Sequence, residues 1–220
     1  MISLKGRRIL ITGGGKRLGR VLRARLAESG ADVSVHSHSG SAEGIVGDLS
    51  TEAGCVKLIS DAGHPDFLVN NAAVYPEDTF EDMSRFEECA AVNAMAPLYL
   101  TREFAKRCKS GAVVNILDYR HLGEDSRHLS YLASKDLCRE FTLLCARELA
   151  PNIRVNGVAP GPLVLPEDDF NARYADLAPL KRCANGDDVA DAVIYLLTAE
   201  SVTGEIIRVD GGRHLGHHSR

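Results

Sequence analysis

Tyr131 and Lys135 stand four residues apart in a stretch of helical periodicity, so they share one face with about 6 Å of rise between them. An ammonium beside a phenol favours the tyrosinate and lowers the phenol's pKa. That prepares the hydroxyl to exchange a proton near neutral pH. Such a pair also arises by chance on solvated helices, so its meaning depends on its company. Asn93 is followed four residues later by Pro97 inside a helical pattern. Proline has no N–H, so the carbonyl of residue 93 loses its usual partner. The freed carbonyl could hold a water and link it to Lys135 as a proton relay; the plain alternative is a helix kink.

A second constellation lies near the start of the chain. Thr12-Gly13-Gly14-Gly15-Lys16-Arg17-Leu18-Gly19 follows an apolar run and opens into a helical pattern. Glycines let the backbone turn sharply and bring its N–H groups up to a pyrophosphate, and a helix N-terminus adds partial positive charge. A glycine-rich turn alone is weak; its place between strand and helix strengthens it. An NAD site would put an acid at the end of the second strand to bind the ribose 2′-hydroxyl. Here that place reads Val35-His36-Ser37-His38-Ser39, with no acid. Arg17 and the histidines can instead approach a 2′-phosphate, which prefers cationic donors, so NADPH is the expected cofactor.

These residues need a scaffold, and the rhythm of the chain supplies one. Strands are predicted at Arg8–Thr12, Val33–His36, Phe67–Asn70, Gly111–Leu117, Ile153–Ala159 and Glu205–Val209. Helical spacing connects many of them: Leu18, Val21, Leu22 and Leu26 up to Gly30, then about Glu81–Lys109, Ser130–Leu149 and Asp187–Thr198. This alternation predicts an α/β fold, a Rossmann-type doubly wound parallel sheet in one domain over residues 1–220. Ligands in such sheets sit beyond the carboxyl ends of the strands, where the motifs above fall. Only eight residues separate His36 from Ile45–Val46, too few for an ordinary crossover. The usual helix is expected to be missing there, with Ile45–Val46 at most a very short edge strand.

Composition limits the alternatives. The 220 residues are 45% apolar and 25% charged, the balance of a globular chain, and the net charge of −4 offers no basic face for nucleic acid. No run reaches transmembrane length and Met1–Gly6 lacks a signal-peptide core, so a cytoplasmic location without membrane contact is expected. The six cysteines show no Cys-x-x-Cys or zinc spacing and read as small buried hydrophobes; no metal is expected. The tail histidines His214, His217 and His218 read as solvated.

The order of motifs resembles that of the short-chain dehydrogenase/reductases. TGGGKRLG, Asp48 in Gly-Asp-Leu49, Asn70-Asn71-Ala72-Ala73, Asn93, Tyr131-x-x-x-Lys135 and Pro160-Gly161 all occur in sequence, ending with Val202-Thr203-Gly204 and Val209-Asp210-Gly211-Gly212. The resemblance implies that Gly13, Lys16, Arg17 and Leu18 hold the cofactor phosphates. Asp48 and Leu49 would lie by the adenine, near His36 and Ser37. Asn71, Ala72, Pro160 and Gly161 would line the groove, and Asn93, Tyr131 and Lys135 would be catalytic, with Lys135 also bonding the nicotinamide ribose. Most members carry glycine where Arg17 stands and serine where Asp118 stands. Those two departures, with His36-x-His38 after the second strand and Tyr75 after the Asn-Asn-Ala-Ala segment, resemble the pteridine reductases. Asp118-Tyr119, Tyr131-x-Ala-Ser-Lys135, Leu149-Ala150-Pro151 and Asp210-Gly-Gly-Arg-His-Leu215 in the C-terminal half resemble the bacterial dihydromonapterin reductases. That implies reduction of a dihydropterin, with Tyr75 stacking on the pterin, Asp118 binding its amino-pyrimidine edge or organising a proton donor, and Arg17 reaching cofactor and pterin alike. A homotetramer is likewise implied. The rival expectations are a carbonyl reductase of the same fold, acting for example on a 3-oxoacyl thioester, and a non-enzymatic NADP(H)-binding sensor.

Overall fold

The computed structural model describes residues 1–39, 44–120, 125–165 and 173–216. In chain order come β1 (Arg8–Ile11), α1 (Arg17–Glu28), β2 (Asp32–Ser37), β3 (Ile45–Val46), α2 (Glu52–Asp61), β4 (Phe67–Asn70) and α3 (Phe86–Cys89). A π-helical stretch over Ala90–Met95 leads into α4 (Ala96–Arg107), β5 (Gly111–Ile116), α5 (Leu129–Leu149), β6 (Ile153–Pro160) and β7 (Leu163–Val164). Then follow α6 (Arg173–Asp176), β8 (Ala184–Asn185), α7 (Gly186–Thr198), β9 (Ile206–Val209) and a 3-10 turn over Arg213–Leu215. Seven strands form one parallel sheet in the order β3-β2-β1-β4-β5-β6-β9, and β7 pairs with β8 beside it. The order reverses direction between β1 and β4, so the crevice for a ligand opens beyond Ile11 and Asn70.

Alternate residues of each central strand point to opposite faces, and each face has its own helices. Ile9, Ile11, Phe67, Val69, Ala112 and Val114 pack with Leu18, Leu22 and Leu26 of α1 and with Val189, Val193, Leu196 and Leu197 of α7. Leu10, Leu68, Val113 and Val155 pack on the other side with Cys55, Leu58 and Ile59 of α2, and with Ala96, Leu100 and Phe104 of α4. Both faces being apolar is why these strands read as continuous hydrophobic runs.

Helix α2 is absent from the sequence reading. Its signals are short but real: Thr51 caps it by accepting from the Gly54 N–H, and Cys55, Leu58 and Ile59 recur at three- and four-residue spacing. The β3 expectation holds: two residues at the sheet edge pair with His36 and Ser37. Of the shortened crossover, residues 40–43 lie outside the described residues. The long helix expected over Glu81–Lys109 is in fact three pieces, and the π-helical stretch holds Asn93, with Pro97 in the first turn of α4. A wide turn at that point is how the chain absorbs the missing proline N–H. His217 and His218 lie outside the described residues, as do residues 166–172 after Pro160. Among the described residues no helix is long and apolar enough to cross a membrane. The six cysteines are free and buried or half-buried, and burial pushes the Cys55 thiol up to about 12 and those of Cys89 and Cys138 to about 11.

Candidate active site

The glycine-rich turn is built against the end of β4. Gly13 has φ +66°, and a Cβ there would lie 3.0 Å from the Ala72 Cα, so the two backbones touch. A Cβ on Gly19 would stand 2.1 Å from the Gly13 carbonyl oxygen, which fixes how closely α1 follows the turn. Thr12, not anticipated from sequence, locks the two strand ends together: its Oγ1 accepts from the N–H groups of Asn71 and Ala72, both at 3.0 Å. Asn71 returns two bonds from Nδ2, to the carbonyls of Thr12 at 3.0 Å and Gly13 at 3.1 Å. Asn71 and Ala72 thus brace the turn from the side. Among the described residues no side chain caps α1, and its first turn holds no acid, so its leading N–H groups suit an anion. Lys16 and Arg17 stand exposed at that end.

His36 requires a correction. It was expected to offer positive charge to a 2′-phosphate, but it is buried with both ring nitrogens engaged. Nε2 lies 3.0 Å from the Gly47 carbonyl, which can only accept, and Nδ1 accepts from the Gly13 N–H at 3.4 Å. This pattern needs the neutral ring, and burial lowers its pKa. His36 is a strut between the glycine turn and β3, which leaves that role to the exposed Lys16 and Arg17 at the start of α1. Because the folded ring resists protonation while the unfolded one accepts a proton, stability is full above about pH 6.5 and falls as the pH drops below it. His36→Gln keeps a donor and an acceptor but cannot titrate. Melting temperature measured from pH 7 to pH 5 should therefore fall less steeply in that variant than in the parent chain.

Leu49 turns its side chain inward. Its side chain is buried in the core beneath α2, so only its backbone can face an adenine. Asp48 stays exposed, and bonds from Ser50 hold its carboxyl below the usual range. Ser37 donates to the Ser39 carbonyl at the end of β2. Pro160 and Gly161 sit at the end of β6, where Gly161 donates to Val209 and the Pro160 carbonyl accepts from Tyr119.

The structure brings Tyr131, Lys135 and Asp118 together at the carboxyl end of β5. Tyr131 donates its hydroxyl to Asp118 Oδ2 at 3.1 Å. Lys135 donates to the Ile116 carbonyl at 2.7 Å, and its Nζ lies 5.7 Å from the Tyr131 ring centre. One turn further along α5, Arg139 donates to the Asp118 carbonyl at 2.7 Å. Two cations from one helix face thereby pin the backbone that carries Asp118. The expected electrostatics do not hold in this arrangement. Burial raises the phenol's pKa well above its ordinary value, and the Asp118 charge raises it further. Burial lowers that of Lys135. The lysine is turned to a strand carbonyl and the phenol faces a carboxylate, so the balance disfavours tyrosinate, with the Arg120 charge opposing it only in part.

Arg120 is a further residue that sequence reasoning missed. Its Nε and Nη2 each donate to a different oxygen of Asp118, both at 3.1 Å, while Nη1 reaches Asp125 at 2.7 Å and Nη2 reaches the Tyr75 hydroxyl at 3.5 Å. Asp-x-Arg was visible at residues 118–120, but no periodicity marks a loop pair. The aromatic wall follows. Tyr75, half-exposed, stacks on His128 with ring centres 4.1 Å apart and meets Tyr131 edge-on at 4.6 Å. Asn93 explains how that loop is held. Its side chain accepts from the Val74 N–H at 2.8 Å and donates to the Val74 carbonyl at 2.9 Å and to Ser134 Oγ at 3.0 Å. His214 is exposed, and its Nδ1 also meets Asp210 at 2.8 Å.

Comparison with known proteins agrees with this architecture. The family model described as enoyl-(acyl carrier protein) reductase matches residues 18–214. L-xylulose reductase from Cavia porcellus is 31% identical over 239 residues, covering 96% of this chain and 98% of that protein. The 3-oxoacyl-[acyl-carrier-protein] reductase FabG from Aquifex aeolicus is 28% identical over 96% of this chain and 98% of its own length. Among solved structures, alternative dihydrofolate reductase 1 (FolM) from Brucella canis, complexed with NADP, is 29% identical with a TM-score of 0.85, covering 99% of this chain and 98% of that chain.

Proposed function

The chain belongs to the short-chain dehydrogenase/reductase family, and on that premise we propose that it is an NADPH-dependent reductase converting a dihydropterin to the tetrahydropterin. The observation that carries this reading is the Asp118 carboxylate in hydrogen-bond contact with the Tyr131 hydroxyl. Reduction of a carbonyl builds negative charge on oxygen, which a neighbouring carboxylate opposes. Reduction of a ring C=N draws a proton to nitrogen and builds positive charge, which the same carboxylate stabilises.

The residues present fit the cofactor. The uncapped start of α1 and the exposed Lys16 and Arg17 suit its phosphates. Arg17 holds φ +50°, a left-handed conformation costing a non-glycine residue about 1–2 kcal/mol. A glycine would remove that cost, so the guanidinium supports binding of a 2′-phosphate. Bound NADPH supplies the hydride. Tyr131 is the proton donor to the pterin nitrogen, Asp118 orients its hydroxyl, and Arg120 holds Asp118 in place. Lys135 has two further N–H donors beyond the Ile116 bond, enough to reach a ribose. Tyr75, half-exposed and stacked on His128, is the aromatic surface available to a pterin ring.

The test follows absorbance of NADPH with purified protein and dihydrobiopterin, dihydromonapterin, dihydrofolate or a 3-oxoacyl thioester. Turnover is expected with the pterins, with NADPH preferred over NADH and the preference reduced in Arg17→Gly. Turnover of the thioester alone would move the assignment to carbonyl reduction, for which the likeness to FabG already speaks. Binding of NADPH without turnover of any of them would leave the sensor.

A further inference from the structure

Rings and guanidiniums alternate from the loop bearing Tyr75 to the last described turn of the chain. The Arg120 guanidinium lies 6.0 Å from the Tyr75 ring centre and 5.8 Å from that of Tyr119. The Arg213 guanidinium lies 5.7 Å from the Tyr119 ring centre and 5.4 Å from that of Tyr174 in α6. One tyrosine ring therefore adjoins both cations, and it follows Asp118 directly in the chain. Arg213 is placed by its own turn. Asp210, buried, accepts from the Gly212 N–H at 2.9 Å and from the His214 N–H and Nδ1, both at 2.8 Å. Gly161 approaches so near that a Cβ would stand 2.8 Å from the Asp210 Cα, which ties the turn to the end of β6. The position of Arg213 is thus fixed by strand ends at the edge that carries the catalytic residues.

The two guanidiniums differ in one respect. Arg120 spends its donors on Asp118, Asp125 and Tyr75. Among the described residues, Arg213 carries a buried Nη1 with no hydrogen-bond partner. Rings over the guanidinium attract its charge but leave the N–H groups, which lie in its plane, unanswered. A charged donor removed from water without an acceptor is costly, and such an atom calls for an explanation. The missing group is an acceptor in the guanidinium plane, and the planar anion that matches this fork is a carboxylate.

Resting on the dihydropterin reading, we propose that Arg213 binds a carboxylate on the substrate's side chain. The site would then favour a pterin whose tail ends in an acid, of the pteroylglutamate type, over one with a neutral hydroxyalkyl tail. The experiment compares the full-length parent chain with Arg213→Ala and Arg213→Lys. KM is measured for dihydrofolate and dihydrobiopterin, and Kd by calorimetry for p-aminobenzoylglutamate, a tail without a pterin. In Arg213→Ala the KM ratio of dihydrofolate to dihydrobiopterin and the Kd of the tail should each rise roughly tenfold or more, with partial recovery in Arg213→Lys. Equal losses for both substrates, or an unchanged tail Kd, would overturn the proposal. If the parent chain reduces no pterin yet binds the tail through Arg213, the carboxylate site stands and the pterin reading fails.

Discussion

Tyr131→Phe is expected to lower kcat with NADPH and a dihydropterin by about 10²–10⁴-fold, the range that a positioned proton donor supplies. The fold should survive the change. The ring stays packed edge-on against Tyr75, and Asp118 Oδ2 keeps its bond from Arg120 when the phenol hydroxyl is gone. Losing one bond whose acceptor retains another partner costs little, so the melting temperature should move by only a few degrees. NADPH affinity, measured by fluorescence titration, should hold because the phenol contributes nothing to the phosphate end of the crevice. A rate equal to the parent's would remove Tyr131 from the chemistry and, with it, the reading of Asp118 as the group that orients it.

Much of the scaffold was legible because both faces of the sheet are covered. Leu10, Leu68 and Val113 point one way and their neighbours the other, so the strands announce themselves as unbroken apolar runs. Helix α2 escaped because ten residues carry few apolar positions to reveal a period. The glycine turn and the Tyr131–Lys135 pair were legible since their function depends on local spacing. What failed was the electrostatics. The expectation for His36 and for the Tyr131–Lys135 coupling assumed solvent-like surroundings, and both depend on burial that arises only when distant segments meet. Gly47 lies eleven residues beyond His36, and Ile116 nineteen before Lys135. Arg120 and Arg213 were illegible for a related reason: a loop arginine gains meaning only from the carboxylate or ring that the tertiary fold places beside it.

Asp118→Asn separates the charge of Asp118 from its shape. The amide oxygen can still accept from the Tyr131 hydroxyl, and Arg120 keeps its bond to Asp125. Truncation to alanine would leave a largely buried guanidinium short of its main partner, at a cost of about 3–5 kcal/mol. The amide should cost less, because it preserves an acceptor. Its kinetic effect comes through the phenol. Burial raises the proton affinity of Tyr131 first, and the Asp118 charge adds to it, so neutralising residue 118 lets the phenol ionise at a lower pH. Reduction of a C=N bond needs the protonated phenol. The alkaline limb of the pH–rate profile should therefore shift to lower pH in Asp118→Asn. Its kcat for dihydropterin should also fall about 10²-fold, as the charge that stabilises a protonated ring nitrogen is gone. Coincident alkaline limbs in the two proteins would show that the carboxylate does not govern the phenol. A faster reduction of carbonyl substrates by the variant would show that the chemistry of this crevice is set by the sign of one side chain.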